Sequence, residues 1–430
     1  MPSRGGWGCG EAAHGYLPPP MSITDSSAGP LSAPDVPARA GTAHRLGFAV
    51  KVLGEGGLPS HDTRRHASGP HLRHSLGCLR AILDVLERHD IRMYRLPTGL
   101  APYASHPDMP RFHDQVSECA EELAQIGEIA RERGIRLSSH PGQYTVLNSE
   151  RADVQAAAIA ELEIQAALLD AMGLGPEAVV VLHVGGMAGG AGAALERFLI
   201  GFAQLTGRAQ ARLVVENDDR VFGLADVLGL SQQTGIRVVW DVLHHRCHDP
   251  AGMSNRDALA AALDTWPGGE TPKIHYSSPR LDVEQRKVRV GRRVETRLVL
   301  PQLRAHADLI DPIGFEAFLR DAPAGRDFDI MLEAKAKDLA LLRLREQLAE
   351  RGLAGAGERG GDEQPRRTTP ATSGAARPSQ TASGGDERAH RFARRWSTAR
   401  TPTYRNAIST PSSPTCGAGE PSCPEGSDCG

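Results

Sequence analysis

Short runs of consecutive apolar residues recur through the middle of the chain, separated by longer stretches in which apolar residues return every three or four positions. The short runs fall at residues 45–50, 91–96, 136–139, 178–184, 212–218, 237–242, 272–277 and 327–334. They are nearly continuous rather than alternating, as strands covered on both faces must be. The longer stretches predict amphipathic helices over residues 71–88, 112–133, 152–172, 193–205, 224–234, 256–263, 314–320 and 335–348. Gly134 and Gly235 stand where C-terminal caps belong, just ahead of the third and sixth strands. Strand and helix in strict alternation, eight times over, predict an α/β fold of the (β/α)8 TIM-barrel type. A doubly wound open sheet is the alternative, but no GxGxxG follows the first strand.

Outside this region the pattern stops. Residues 1–43 are rich in Gly, Pro, Ser and Ala, and residues 351–430 in Thr, Ser, Pro, Gly and Arg. Such segments bury too little apolar surface to offset the entropy of ordering, so both are expected to be disordered tails around one folded domain at 44–350. No secretory leader and no membrane-spanning run is expected, and Met21 is a second candidate start. The seven cysteines form no CxxC pair, which fits a reduced, cytoplasmic setting.

In a parallel barrel the carboxyl ends of all strands open on one face. Six successive strand ends here carry metal-capable side chains: His140, His183, Glu216, Asp241 with His244, His275, and Glu333. A packed core does not require this row. Imidazoles and carboxylates without thiolates suit borderline or hard divalent ions such as zinc, manganese or iron(II). There are more ligands than one ion can use, so two or three ions are expected, with Glu216 as a bridging carboxylate. Sites of this kind serve hydrolytic displacement at phosphorus. Only five of the 49 basic residues are lysine, and one of them, Lys273, sits two positions before His275 on the same side of its strand. Its retention points to chemistry that Arg cannot perform.

The formal net charge of −3 argues against a protein that coats nucleic acid indiscriminately. Charge is nevertheless concentrated locally. Between Arg280 and Arg304 eight basic residues, among them Arg292 and Arg293, face three acidic ones in a loop-like insertion after the seventh strand. A second segment rich in His and Arg, residues 61–74, follows the first strand. Both positions lie on the catalytic face and predict contacts to phosphate. Gln143 and Tyr144 follow a Pro-Gly pair just past His140. A Gln-Tyr pair on a loop tip suits insertion into a base stack. A sugar isomerase or epimerase on the same barrel is the alternative; it explains the ligands but neither the basic insertion nor this turn.

Seven strings carry a family resemblance: Leu46-Gly47-Phe48-Ala49, Ala101-Pro102-Tyr103-Ala104-Ser105-His106-Pro107, His140-Pro141-Gly142-Gln143-Tyr144, Glu216-Asn217-Asp218, Asp241-Val242-Leu243-His244-His245, Lys273-Ile274-His275-Tyr276-Ser277-Ser278 and Glu333-Ala334-Lys335. In this order and on these strands they resemble the UV damage endonucleases. The resemblance implies a nuclease that nicks duplex DNA immediately 5′ to pyrimidine dimers, 6-4 photoproducts and abasic sites. It implies up to three ions, typically manganese, held by His140, His183, Glu216, Asp241, His244, His275, His306 and Glu333. It further implies that Lys273 is open to carboxylation, that Gln143 and Tyr144 probe the gap beside a flipped-out lesion, and that His106 is an accessory active-site residue. Phe48 departs from the family, which often has Tyr there. The expected partner is double-stranded DNA carrying UV lesions, met at the nucleoid by a monomer that touches no membrane.

Overall fold

The computed structural model describes residues 44–353. The expected N-terminal tail, and all but the first three residues of the expected C-terminal one, lie outside the described residues. Eight parallel strands surround a common axis: β1 Leu46–Ala49, β2 Met93–Arg95, β3 Arg136–Ser138, β4 Val180–His183, β5 Leu213–Glu216, β6 Arg237–Val239, β7 Lys273–Tyr276 and, after two strands of a separate hairpin (β8 Glu284–Val290, β9 Arg293–Val299), β10 Asp329–Leu332. Hydrogen-bonded neighbours run β3-β2-β1-β10-β7 and β4-β5-β6. Single parallel bridges, Ser139 to Val180 and Asp241 to His275, join the two groups into a closed ring. The expected barrel is therefore the fold, with each strand slightly shorter than its apolar run.

Register sorts side chains between the helix layer and the barrel interior. Val181 pairs with Val214, and Val239 with Glu216, so these share the inner face; Val179, Val181, Val214, Val239 and Trp266 form one apolar cluster. Ala49, Met93 and Met331 form another. Gly47 of β1 is required there, because a Cβ at this position would lie 2.6 Å from the Met93 carbonyl oxygen. Phe48 joins the outer core and meets Tyr94 edge-on at 5.5 Å. Phe48 thus supplies a ring without a hydroxyl to the helix layer of this chain.

At the amino end of the strands the interior is closed by charge rather than hydrocarbon. Buried Asp329 pairs with Arg136 at 2.8 Å and with Arg45 at 2.9 Å, and Arg136 and Arg237 approach the Trp266 ring at 5.6 and 5.0 Å. This plug leaves the carboxyl end as the open face. Most predicted helices appear within a few residues of expectation, including Leu72–Arg88, Ala152–Ala171 and Leu224–Thr234. Gly134 (φ 61°) and Gly235 (φ 74°) take the left-handed conformation expected of caps.

The basic segment after β7 differs from expectation. It is an antiparallel hairpin rather than a loop, with Arg286 opposite Arg297 and Val290 opposite Arg293. Gly291 (φ 60°) supplies the positive φ at the first central position that a two-residue type II′ connection needs. The alternation of Val288, Val290 and Val294 with Arg was the available signal. High charge masked it, because strand formation here rests on local pairing without core burial.

Candidate metal centre

Glu216 closes β5 and its carboxylate lies at the middle of the open end, almost wholly buried. Four imidazoles surround it. Oε2 lies 3.1 Å from Nε2 of His140 and 3.6 Å from Nε2 of His183. Oε1 lies 3.0 Å from Nδ1 of His275 and 3.4 Å from Nδ1 of His244. These rings come from four different strands: His140 follows β3, His183 closes β4, His244 lies in the helix after β6, and His275 is the third residue of β7. Glu333, one residue past β10, brings Oε1 to 3.5 Å from His275 and Oε2 to 3.7 Å from His306. Asp241 follows β6, and its Oδ1 accepts the backbone N–H of His244 at 2.7 Å, capping the short helix Val242–Cys247 and fixing the His244 ring beside the cage.

Ligand atoms group in three sets within 4.8 Å: His140, His183 and Glu216; Glu216, Asp241 and His244; Asp241, His275 and Glu333. The sets share Glu216 and Asp241, as a chain of bridged cations would demand. Two donors each about 2.1 Å from one ion lie roughly 3 Å apart, close to the separations found here. Asp241 Oδ2 is buried with no hydrogen-bond partner, a spare oxygen that a divalent cation would satisfy; His275 Nε2 and His183 Nδ1, the ring nitrogens opposite those that face Glu216, are likewise unpaired. His140 presents Nε2 inward because Nδ1 donates to the Pro141 carbonyl at 3.0 Å, and His244 Nδ1 contacts the Asn217 carbonyl at 3.0 Å. Such outer partners orient metal-binding imidazoles. The residues present therefore fit a divalent metal.

Burial opposes ionisation of Glu216, yet His275, His183, His140 and His244 hold its carboxyl well below the usual range. Burial likewise opposes Glu333, which Arg95 and His275 hold low. Burial pushes Asp241 up to about 6 and His275 down to about 4. Burial works against the His244 imidazolium too, but Asp241 and Glu216 outweigh it and lift this group to about 11. Lys273 is completely buried, with Nζ donating to Ser138 Oγ at 3.0 Å. Burial, reinforced by Arg95 and Arg136, takes its amine well below the ordinary lysine range.

The remaining expected residues are placed unevenly. Gln143 and Tyr144 are the central residues of a turn in which Thr145 N–H donates to the Gly142 carbonyl at 2.9 Å, and Tyr144 is 84% exposed. His106 lies in the loop after β2 and bonds within it: Nδ1 accepts from Asp108 N–H at 3.2 Å, and no recorded bond joins it to the cage. His306 sits at the hairpin's root, its ring 6.2 Å from that of His244. Arg292 and Arg293 are exposed at the hairpin tip, whereas Arg280 is ion-paired to Glu284. Between β1 and the first turn of helix Leu72–Arg88, Arg64 and Arg73 are tied to Asp62 and Glu122, while Arg65 is exposed.

Two contributors were missed. Arg95 ends β2 and pairs with Glu333; a lone Arg closing an apolar run was as visible as the histidines. Asn217 bridges two strand ends, its Oδ1 accepting Asp241 N–H at 2.9 Å and its Nδ2 donating to the Asp241 carbonyl at 3.1 Å. Only the tertiary fold shows that role.

A closed parallel barrel with a cage of imidazoles and carboxylates at its carboxyl end defines the chain as a barrel protein with a metal-capable centre. Residues 72–355 match the UV-endonuclease UvdE family. The chain belongs to this family of DNA repair endonucleases and is an enzyme of that class. It is 35% identical to the UV DNA damage endonuclease of Bacillus pumilus (strain SAFR-032) over 264 residues, 61% of this chain and 76% of the relative. It is 31% identical to the protein of the same name from Bacillus cereus (strain G9842) over 298 residues, 68% and 85% of the two chains. The crystal structure of SacUVDE superposes with a TM-score of 0.59 at 32% identity, covering 72% of this chain and 99% of that one. Family membership sets the sugar isomerase alternative aside. Among the described residues no helix is long and apolar enough to cross a membrane.

Proposed function

We propose that this single barrel domain, acting as a monomer, nicks duplex DNA immediately 5′ to UV photoproducts, with pyrimidine dimers and 6-4 photoproducts as substrates and abasic sites as a further one. The observation that carries the reading is Glu216 set among His140, His183, His244 and His275, with Asp241 and Glu333 completing three overlapping ligand sets. These residues, with His306, would hold up to three divalent ions; the family resemblance implies manganese, and zinc also suits a donor set of imidazoles and carboxylates. When bound, the ions activate water and offset charge on the phosphate and the departing oxygen.

The chain's own residues supply the rest. Arg95, held against Glu333, adds positive charge at the rim of the cage. Lys273, whose amine burial holds well below the ordinary lysine range, would be open to carboxylation and so to service as an extra ligand. Gln143 and Tyr144 project from the turn beside His140, where an amide and an exposed ring can fill the space left by a flipped-out dinucleotide. Arg280, Arg292 and Arg293 would hold the DNA backbone, and His106 stands on the same face as an accessory group.

The test uses purified full-length protein, manganese and a duplex oligonucleotide carrying one pyrimidine dimer. One cut on the 5′ side of the dimer, abolished by chelator, is expected. Cutting elsewhere, or none while a metal titration shows loaded sites, would sink the reading.

A further inference from the structure

The hairpin β8–β9 has no core beneath it. All but three of its fourteen strand residues are exposed, and Val294 and Leu298 are open to 65% and 72%. An isolated two-stranded ribbon is marginally stable in water, so a partner surface is implied. The register distinguishes its two faces. One face holds Glu284, Arg286, Val288, Val290, Arg293, Glu295, Arg297 and Val299; here Arg286 bonds Glu284 at 2.8 Å and Arg297 bonds Glu295 at 2.9 Å, with Arg293 beside the turn at the tip. The other pairs Gln285 with Leu298, Lys287 with Thr296 and Arg289 with Val294. On this second face Lys287 and Arg289 have no recorded carboxylate partner. They lie along β8, while Val294 and Leu298 line β9.

The ribbon's root lies at the cage. Pro279 bridges to His306, Arg280 N–H donates to the Ala305 carbonyl at 2.7 Å, and Ala307 N–H donates to the Ser278 carbonyl at 2.9 Å. The arm therefore leaves the barrel's open end within two residues of a candidate ligand. Its free cations complement a phosphate row. Two copies meeting through this face would instead press like charges together.

We propose that the hairpin is a duplex-docking ribbon: the Lys287/Arg289 edge follows a row of DNA phosphates and the Val294/Leu298 edge rests on the apolar sugar walls of the adjoining groove. This rests on the reading of the cage as a DNA-cleaving site and adds the Lys287/Arg289 face to the arginines at the hairpin's tip and root as what engages DNA. The arm then extends the footprint beyond the lesion and resists sliding while the turn at Gln143 and Tyr144 samples bases.

The experiment measures the affinity of the full chain for an undamaged duplex of about 30 base pairs across a potassium chloride series. Replacing Lys287→Ala with Arg289→Ala should lower the log–log salt slope by about 2 and weaken low-salt binding about tenfold or more. Val294→Ser with Leu298→Ser should weaken binding several-fold at an unchanged slope. Arg286→Ala with Arg297→Ala, whose guanidinium groups are already paired to Glu284 and Glu295, should change the slope by less than half as much. An unaltered slope in the Lys287/Arg289 variant, or an equal drop from the Arg286/Arg297 pair, overturns the proposal. So does an arm excised between Arg280 and Ala305, and closed by Asn-Gly, that changes sedimentation but not DNA affinity, because the occupant is then a second copy. Nicking of dimer-containing duplex by the unaltered protein is scored separately: its absence removes the nuclease reading and leaves the binding result standing.

Discussion

At the scale of single residues the centre is organised around one carboxylate. Four rings share Glu216, so Glu216→Gln removes the charge that faces them all while keeping the shape. Nicking should fall by about a thousandfold or more, given that metal-centred activation is lost, and metal analysis after dialysis should find at least one equivalent fewer; full nicking by this variant would show that Glu216 is not a ligand. Tyr144 makes the opposite case. Its ring is 84% exposed, so Tyr144→Ala should leave the unfolding free energy within about 0.5 kcal/mol while lowering the preference for damaged over intact duplex. Equal discrimination by the variant in competition binding would remove the ring from lesion sensing.

At the scale of elements, strand ends deliver ligands and helix starts fix them. Asp241 caps its helix and offers its spare oxygen to the cage, which joins a local structural rule to the site. Asp311 illustrates capping alone: its carboxylate accepts from Ile313 and Gly314 N–H at the start of helix Pro312–Asp321. Asp311→Ala should cost about 1 kcal/mol in urea unfolding without altering nicking. Gly47→Ala should cost more, about 1–3 kcal/mol, because its Cβ would meet the Met93 backbone; a thermal melt distinguishes the two. Barrel strands and long helices were legible because burial on both faces, or on one, imposes its period on the residues. The hairpin was not, since exposed Arg and Lys satisfy no burial pattern. Arg95 could have been found by the logic that found His140, whereas Asn217 could not, since its partners belong to the next strand.

At the scale of the whole molecule two charge centres occupy opposite ends of the barrel. At the closed end burial opposes the Asp329 carboxylate, but Arg136 and Arg45 hold its pKa below the ordinary value. A depressed folded-state pKa means the stabilisation is fully present above the unfolded value of about 4 and is lost as pH falls through the folded one. Asp329→Asn should therefore destabilise at pH 7, and its deficit relative to the parent should shrink progressively below about pH 4; a deficit independent of pH would show that shape rather than charge matters. At the open end, clustered imidazoles and carboxylates favour a divalent ion over protons. Adding manganese at about a hundred times its dissociation constant should raise stability by roughly 3 kcal/mol, with EDTA reversing the shift in the melting temperature. No shift would mean that the cage does not bind the ion in the folded state.

The sequence by itself determined the alternation of strands and helices, and with it the barrel, because apolar periodicity follows directly from which faces must leave water. It also named the strand-end histidines and carboxylates that meet at the open face, because a parallel barrel sends every carboxyl end to one side. The tertiary structure alone decided how they converge: Glu216 at the hub among four imidazoles, Asp241 and Glu333 beside it, Arg95 against Glu333, and Lys273 sealed beneath. Those relations depend on register around a closed ring, where a shift of one residue turns each side chain from the interior to the helix layer. No property of a single strand encodes that alignment.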